Sequence, residues 1–221
     1  TVSSNTFAKL TALQTLELNY NQLVTLPNNV FSKLTALQML DLTNNQLVTV
    51  SSNTFAKLTA LQRLDLNNNQ LVTLASNTFA KLTVLQKLWL SHNRIATLPF
   101  TFSHLRALKS LRVDKNQLET IGFNVVRLTN LTQLRVGHNK IRYLPENLGY
   151  SKRLEELSVT HNQIATLPPS ICKLRLKRLA LDENPLKRPP SEVSIRGMEE
   201  VFKYLNRLMY AVETWDLADK Q

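Results

Sequence analysis

The sequence predicts an α/β repeat solenoid: a curved stack whose parallel strands line a concave sheet, closed at its C-terminal end by a helical cap. Three observations predict it. The segment TVSSNTFAKLTALQ opens the chain at Thr1–Gln14 and returns letter for letter at Thr49–Gln62, and an altered copy, TLASNTFAKLTVLQ, follows at Thr73–Gln86. An asparagine in the frame LxxLxLxxNxLxxL recurs at Asn21, Asn45, Asn69, Asn93, Asn116, Asn139, Asn162 and Asn184, at spacings of 24, 24, 24, 23, 23, 23 and 22 residues. After the last of these the frame breaks and a helical periodicity takes over. Identical segments need equivalent neighbours, which a stack of units supplies and an ordinary core does not.

Within each unit the strand comes first. In LQTLELNYNQL the apolar Leu16 and Leu18 alternate with Thr15, Glu17 and Asn19, the period of a strand with one buried face. Eight such strands stacked in parallel make a sheet about 40 Å long at roughly 4.8 Å per strand. The asparagines are read as structural, their amides satisfying backbone groups where the chain leaves the strand. Phe7, Phe31, Phe55, Phe79 and Phe102 form an interior column with the leucines. The later repeats (LPFTFSHL, LPENLGYS, LPPSICKL) drop one residue on the convex side, so the solenoid is expected to flatten gently.

The solenoid is expected over residues 1–188, about eight repeats with the first one partial, and the cap over 189–221. Pro189-Pro190 stops the repeat, Ser191 is positioned to cap a short helix, and Glu192 follows in its first turn. Met198, Val201, Phe202, Leu205, Leu208 and Val212 then fall at three- and four-residue spacing, a stripe suited to covering the last repeat. The chain opens in mid-repeat, which reads as a piece of a longer protein.

The repeating frame resembles the leucine-rich repeat superfamily. LPNNVFSKLTALQ and its kin resemble the 24-residue repeats of jawless-vertebrate variable lymphocyte receptors and Toll-like receptors. The 23-residue LPxxIxxLxxL repeats and the run NPLKRPPSEVSIRGMEEVFKYL resemble intracellular Ras-group leucine-rich repeat scaffold proteins. That second resemblance implies a scaffold for signalling proteins of the small GTPase, phosphatase or kinase class. The first implies a receptor-type or engineered recognition binder, and both stay open at this point.

Composition narrows the class. A single cysteine, Cys172, forbids an intrachain disulfide, whereas the receptor-type relatives close their ends with cysteine-rich caps. A cytoplasmic location follows, or an extracellular one if the chain is a fragment of a receptor. Cys172 itself is read as a small, partly buried structural residue. No apolar run reaches the length of a membrane span. The net charge of +11 is uneven: residues 1–98 carry 7 basic and 3 acidic side chains, residues 99–221 carry 20 and 13. The expected partner is a protein with an acidic surface. Nucleic acid is not expected, since no nucleic-acid module is present and the aromatics are read as mostly serving the core.

Side chains flanking the strand leucines point to the concave face and read as columns. One runs Glu17, Asp41, Asp65, Trp89, Arg112, Arg135, Ser158, Ala180; the one before it runs Thr15, Met39, Arg63, Lys87, Ser110, Gln133, Glu156, Arg178. The column beside the asparagines runs Tyr20, Asn44, Asn68, His92, Lys115, His138, His161, Glu183. The partner-binding residues are expected to be Trp89, taken as an exposed hot spot, with Lys87, His92, Arg112, Lys115, Arg135, His138, Tyr20 and Arg63. Glu17, Asp41 and Asp65 form an acidic strip beside them. His138 and His161 are expected about 5 Å apart on adjacent strands, but no third ligand converges with them, so no metal is expected. No cofactor and no catalytic activity are expected either: four glycines form no phosphate loop, and no nucleophile stands with a base.

Overall fold

The computed structural model describes residues 2–218, with side chains described as far as residue 211. Eight strands stack in chain order into one parallel sheet: β1 (Thr15–Glu17), β2 (Met39–Asp41), β3 (Arg63–Asp65), β4 (Lys87–Trp89), β5 (Ser110–Arg112), β6 (Gln133–Arg135), β7 (Glu156–Ser158) and β8 (Arg178–Ala180). Each pair is registered leucine on leucine, from Leu16 against Leu40 to Leu157 against Leu179. The concave columns read from the sequence therefore stand as true rows of side chains.

Two ladders hold the repeats together. In the first, the Asn45 side-chain N–H donates to the carbonyls of Leu18 (2.9 Å) and Leu42 (3.0 Å), and its Oδ1 accepts the Leu23 amide (3.0 Å). Leu18 and Leu23 belong to the preceding repeat, so each asparagine fastens its own strand exit to its neighbour's. Asn69, Asn93, Asn116, Asn139, Asn162 and Asn184 repeat the pattern. The residue just before each asparagine takes the left-handed conformation, with φ between 51° and 57° from Tyr20 to Glu183. That turn aims the following amide beneath the strand ends. It costs an L-residue about 1–2 kcal/mol, an amount smaller than the buried hydrogen bonds it makes available.

The second ladder is aromatic. Phe7, Phe31, Phe55 and Phe79 stack nearly parallel with centroids 5.9, 6.3 and 6.1 Å apart. Phe102 meets Phe79 edge-on at 83°, at the step where the repeat drops its residue. The convex segments change there as well. Up to β4 they are runs of four-residue turns, such as Leu10 N–H to Phe7 O and Leu34 N–H to Phe31 O. Beyond it they close into 3-10 turns at Phe100–His104, Glu146–Tyr150 and Pro169–Lys173, and into the short helix α1 (Gly122–Val126). Pro99, Pro145 and Pro168 open the 3-10 turns, where a fixed φ and a missing N–H cost nothing. The repeats approach so closely at Gly149 that a Cβ there would lie 1.9 Å from the Ser170 carbonyl oxygen.

Beyond β8 come α2 (Ser191–Ser194) and α3 (Met198–Ala218). Ser191 does not cap α2. Pro190 occupies that place, extended and with its carbonyl accepting the amides of Val193 and Ser194, so Ser191 is already helical and its carbonyl accepts the Ser194 hydroxyl. In α3, Val201 and Leu205 are fully buried, while Met198 and Phe202 pack partly against the core. Leu208 is half-buried; Val212, the last member of the expected stripe, lies outside the described side chains. Cys172 is half-buried beneath α3, its Sγ 3.9 Å from Asn206 Oδ1, and burial pushes its thiol pKa up. That favours the unreactive thiol over the thiolate.

Candidate functional site

The centre of the concave sheet is occupied by three side chains from adjacent strands. Trp89 of β4 lies between two guanidiniums: Arg63 of β3 at 4.2 Å from its ring centre and Arg112 of β5 at 4.7 Å. Both distances suit a cation–π contact. Trp89 is therefore half-buried, not the open ring expected from sequence. Its two faces hold the arginines in place, and the arginines carry the charge toward the concave space.

A polar chain extends from this cluster across the later strands. The Trp89 indole N–H donates to Ser110 Oγ (3.3 Å), whose hydroxyl donates to Gln133 Oε1 (2.7 Å); Arg112 Nε donates to the same oxygen (3.1 Å). The Gln133 amide donates to Glu156 Oε2 (2.6 Å), and Arg135 donates to Glu156 Oε1 through Nε (2.8 Å) and Nη2 (2.6 Å). Partial burial works to raise the Glu156 pKa, but the hydrogen bonds from Gln133 and Arg135 outweigh it, so the carboxyl sits below its usual range. The Arg112 pKa is lowered by burial and by neighbouring Arg135, although a guanidinium stays charged at any physiological pH. Ser110, Gln133 and Glu156 stood in a column read from the sequence, yet were not singled out. Only their side-chain conformations show that they wire Trp89 to Arg135.

The expected residues do not all meet here. Arg63, Trp89 and Arg112 are joined, and Arg135 is linked to them but spent on Glu156. Lys87 flanks the cluster in the Arg63 row and is exposed, without an ion pair among the described residues. His92, Lys115 and His138 stand on the left-handed rim. His138 stacks on His161 with ring centres 3.9 Å apart. Desolvation within the stack, then the charges of His161 and Lys115, lower the His138 pKa. Tyr20, 79% exposed, is three strands from Trp89, roughly 14 Å at about 4.8 Å per strand, and does not join the cluster.

The acidic strip is also revised. Asp41 and Asp65 each accept the backbone amide two residues on, from Thr43 (2.8 Å) and Asn67 (3.1 Å). Asp65 is buried under Arg63, and burial raises its pKa against the opposing pull of the Asn67 amide and Arg63. Both carboxylates hold strand exits, and Asp65 also pairs with Arg63 at 3.5 Å; Glu17 alone of the three is exposed.

Among the described residues no helix is long and apolar enough to cross a membrane. Family models described as leucine rich repeat match residues 1–47, 39–95, 83–125 and 153–174. Solved structures with the same architecture include a leucine-rich repeat protein of Leptospira interrogans, 35% identical with a TM-score of 0.78 over 81% of this chain and 45% of that one. The PEPR1–AtPEP1 structure matches at 27% identity and a TM-score of 0.69, over 78% of this chain and 25% of that one. An internalin from Listeria monocytogenes, at 24% identity and a TM-score of 0.70 over 88% and 62%, shares the fold. The chain thus spans under half the length of the Leptospira protein. No curated protein matches it.

Proposed function

Because the chain belongs to the leucine-rich repeat superfamily, whose members are generally protein-interaction modules, we propose that it is a non-catalytic docking module that holds an acidic protein surface against its concave face. The observation that carries this is the Arg63–Trp89–Arg112 sandwich at the centre of the sheet. An arginine held in place by a ring and by Gln133 loses little freedom when it meets a carboxylate, and pre-organisation of that kind raises affinity. Lys87 supplies a further, unpaired charge.

The finer reading is a cytoplasmic signalling scaffold, with a partner of the small GTPase, phosphatase or kinase class. It draws support from the C-terminal run NPLKRPPSEVSIRGMEEVFKYL. A receptor-type recognition role is the second reading, favoured by the fold match to the PEPR1–AtPEP1 structure.

The test is site-directed photo-cross-linking in cell extract, with the cross-linker at position 87 on the concave face or at position 53 on the convex one. Adducts from position 87 only, lost in Trp89→Ala/Arg112→Glu with thermal unfolding shifted by no more than a few degrees, support concave docking. Equal adducts from both positions, or adducts indifferent to the double variant, overturn it.

A further inference from the structure

The concave face leaves one ordered feature unused, a single file of cations on the convex flank. The residue two places after each interior phenylalanine is Lys9, Lys33, Lys57, Lys81 or His104, and Arg127, Tyr150 and Lys173 continue the position in later repeats. All are exposed, and Lys9 through Lys81 and Arg127 have no ion pair among the described residues. The interior phenylalanines that the file follows stand 5.9, 6.3, 6.1 and 5.7 Å apart. No acid interrupts its first half: Glu17, Asp41 and Asp65, the acids of residues 1–98, all lie on concave strands. Solubility asks for net charge with signs interspersed, not for one sign sorted into a row.

Aromatics join the file where the repeats shorten. Phe100 and Phe123 hold equivalent positions in adjacent repeats and are 66% and 63% exposed. Phe100, Ser103, His104, Arg106, Arg127 and Thr129 line a groove of about 500 Å³ that contains no carboxylate. Farther on, Lys173 Nζ lies 5.4 Å from the Tyr150 ring. The stacked column serves the core as expected; these three are exceptions.

We propose that this flank binds single-stranded nucleic acid, its phosphates following Lys33, Lys57, Lys81 and Arg127 and its bases stacking on Phe100 and Phe123. A row of cations leading into open rings supplies both contacts a single strand uses, and the stacking needs no particular base sequence. A sulfated polysaccharide would use the cations and leave the phenylalanines without a role.

The test is fluorescence anisotropy of the full chain with a labelled oligothymidylate of about twenty nucleotides, long enough to exceed a typical single-strand site, and with dextran sulfate as competitor. The expected result is binding at about 50 mM salt that weakens about a hundredfold by about 200 mM, the slope of roughly five phosphate contacts. Lys33→Glu/Lys57→Glu/Lys81→Glu should flatten that slope. Phe100→Ala/Phe123→Ala should weaken the oligonucleotide about thirtyfold or more and leave dextran sulfate unaffected. No binding at low salt overturns the proposal, as does an oligonucleotide affinity indifferent to the phenylalanines, which would mark a charge-only surface. Trp89→Ala/Arg112→Glu should not matter; loss with that variant would place the strand on the concave face and also overturn it. Circular dichroism of each variant confirms the fold.

Discussion

The segments at residues 2–14 and 50–62 have the same sequence and different surroundings. In the first, Leu10 is 45% exposed and Leu13 is only partly buried; in the second, Leu58 and Leu61 are fully buried. Thr6 is exposed and its twin Thr54 is buried. The local backbone bonds join the same positions in both, and Leu10 N–H to Phe7 O and Leu58 N–H to Phe55 O are each 3.0 Å. The difference is that the described residues stack on both sides of the second copy and on one side of the first. What a position contributes is set by its neighbouring repeats, as expected of a fold whose stability is a sum over nearest-neighbour interfaces. The concave site follows the same rule. Asp41 and Asp65 share a column, but only Asp65 has Arg63 and Trp89 beside it, and only Asp65 is buried.

Substitutions of paired positions sharpen this contrast. Asn69→Ala leaves the Leu47 amide without its partner and takes one of two donors from the carbonyls of Leu42, Leu66 and Asn67, which keep Asn45, Asn93 and the Asn44 amide. At about 1–3 kcal/mol for the buried amide left unpaired, with smaller losses at the three carbonyls, the loss should be about 3 kcal/mol in urea unfolding. Asn21→Ala, where the side chain reaches only its own Leu18 and Asn19 and is exposed, should cost less than about 1 kcal/mol. Leu58→Ala should cost about as much, about 3 kcal/mol for a filled site, against less than about 1 kcal/mol for Leu10→Ala. Equal costs within either pair would break the comparison.

Much of this was legible in the chain itself. A period of 23 or 24 residues fixes which leucines, phenylalanines and asparagines stand above one another, and stacking then determines their roles. Side-chain conformation was not legible. The columns placed Arg63, Trp89 and Arg112 in adjacent strands, but whether a tryptophan lies open or between guanidiniums depends on torsions that no spacing encodes. Ser110, Gln133 and Glu156 read as ordinary surface polars until their hydrogen bonds joined them. The left-handed turns at Tyr20, His92 or Lys115 carry no glycine to announce them. Ser191 looked like a cap because its residue type suits one, while Pro190 already held the extended conformation.

Two smaller effects extend the contrast to charge. Glu156→Gln should cost about 1 kcal/mol, because its partners remain part-exposed and screened; Glu17→Gln, exposed on β1, should cost nothing measurable. Since the folded Glu156 pKa is lowered, its contribution is present above its unfolded value near 4.5 and is lost as pH falls through the folded value. The histidine stack behaves differently. His138 is lowered from about 6.5, so the unfolded chain binds the proton first and stability declines as pH falls below that value. The melting temperature should therefore drop slightly from neutral pH toward about 5.5, and His138→Gln should remove that part of the drop.

Site-resolved amide hydrogen exchange of the Leu10 and Leu58 amides is the most direct measurement. Both sit in the same sequence and make the same 3.0 Å bond, so local structure alone would protect them equally. If neighbouring repeats set stability, Leu58 should exchange at least ~100-fold more slowly, through opening of the stack, while Leu10 exchanges by local fraying. Equal protection of the two amides would contradict the account.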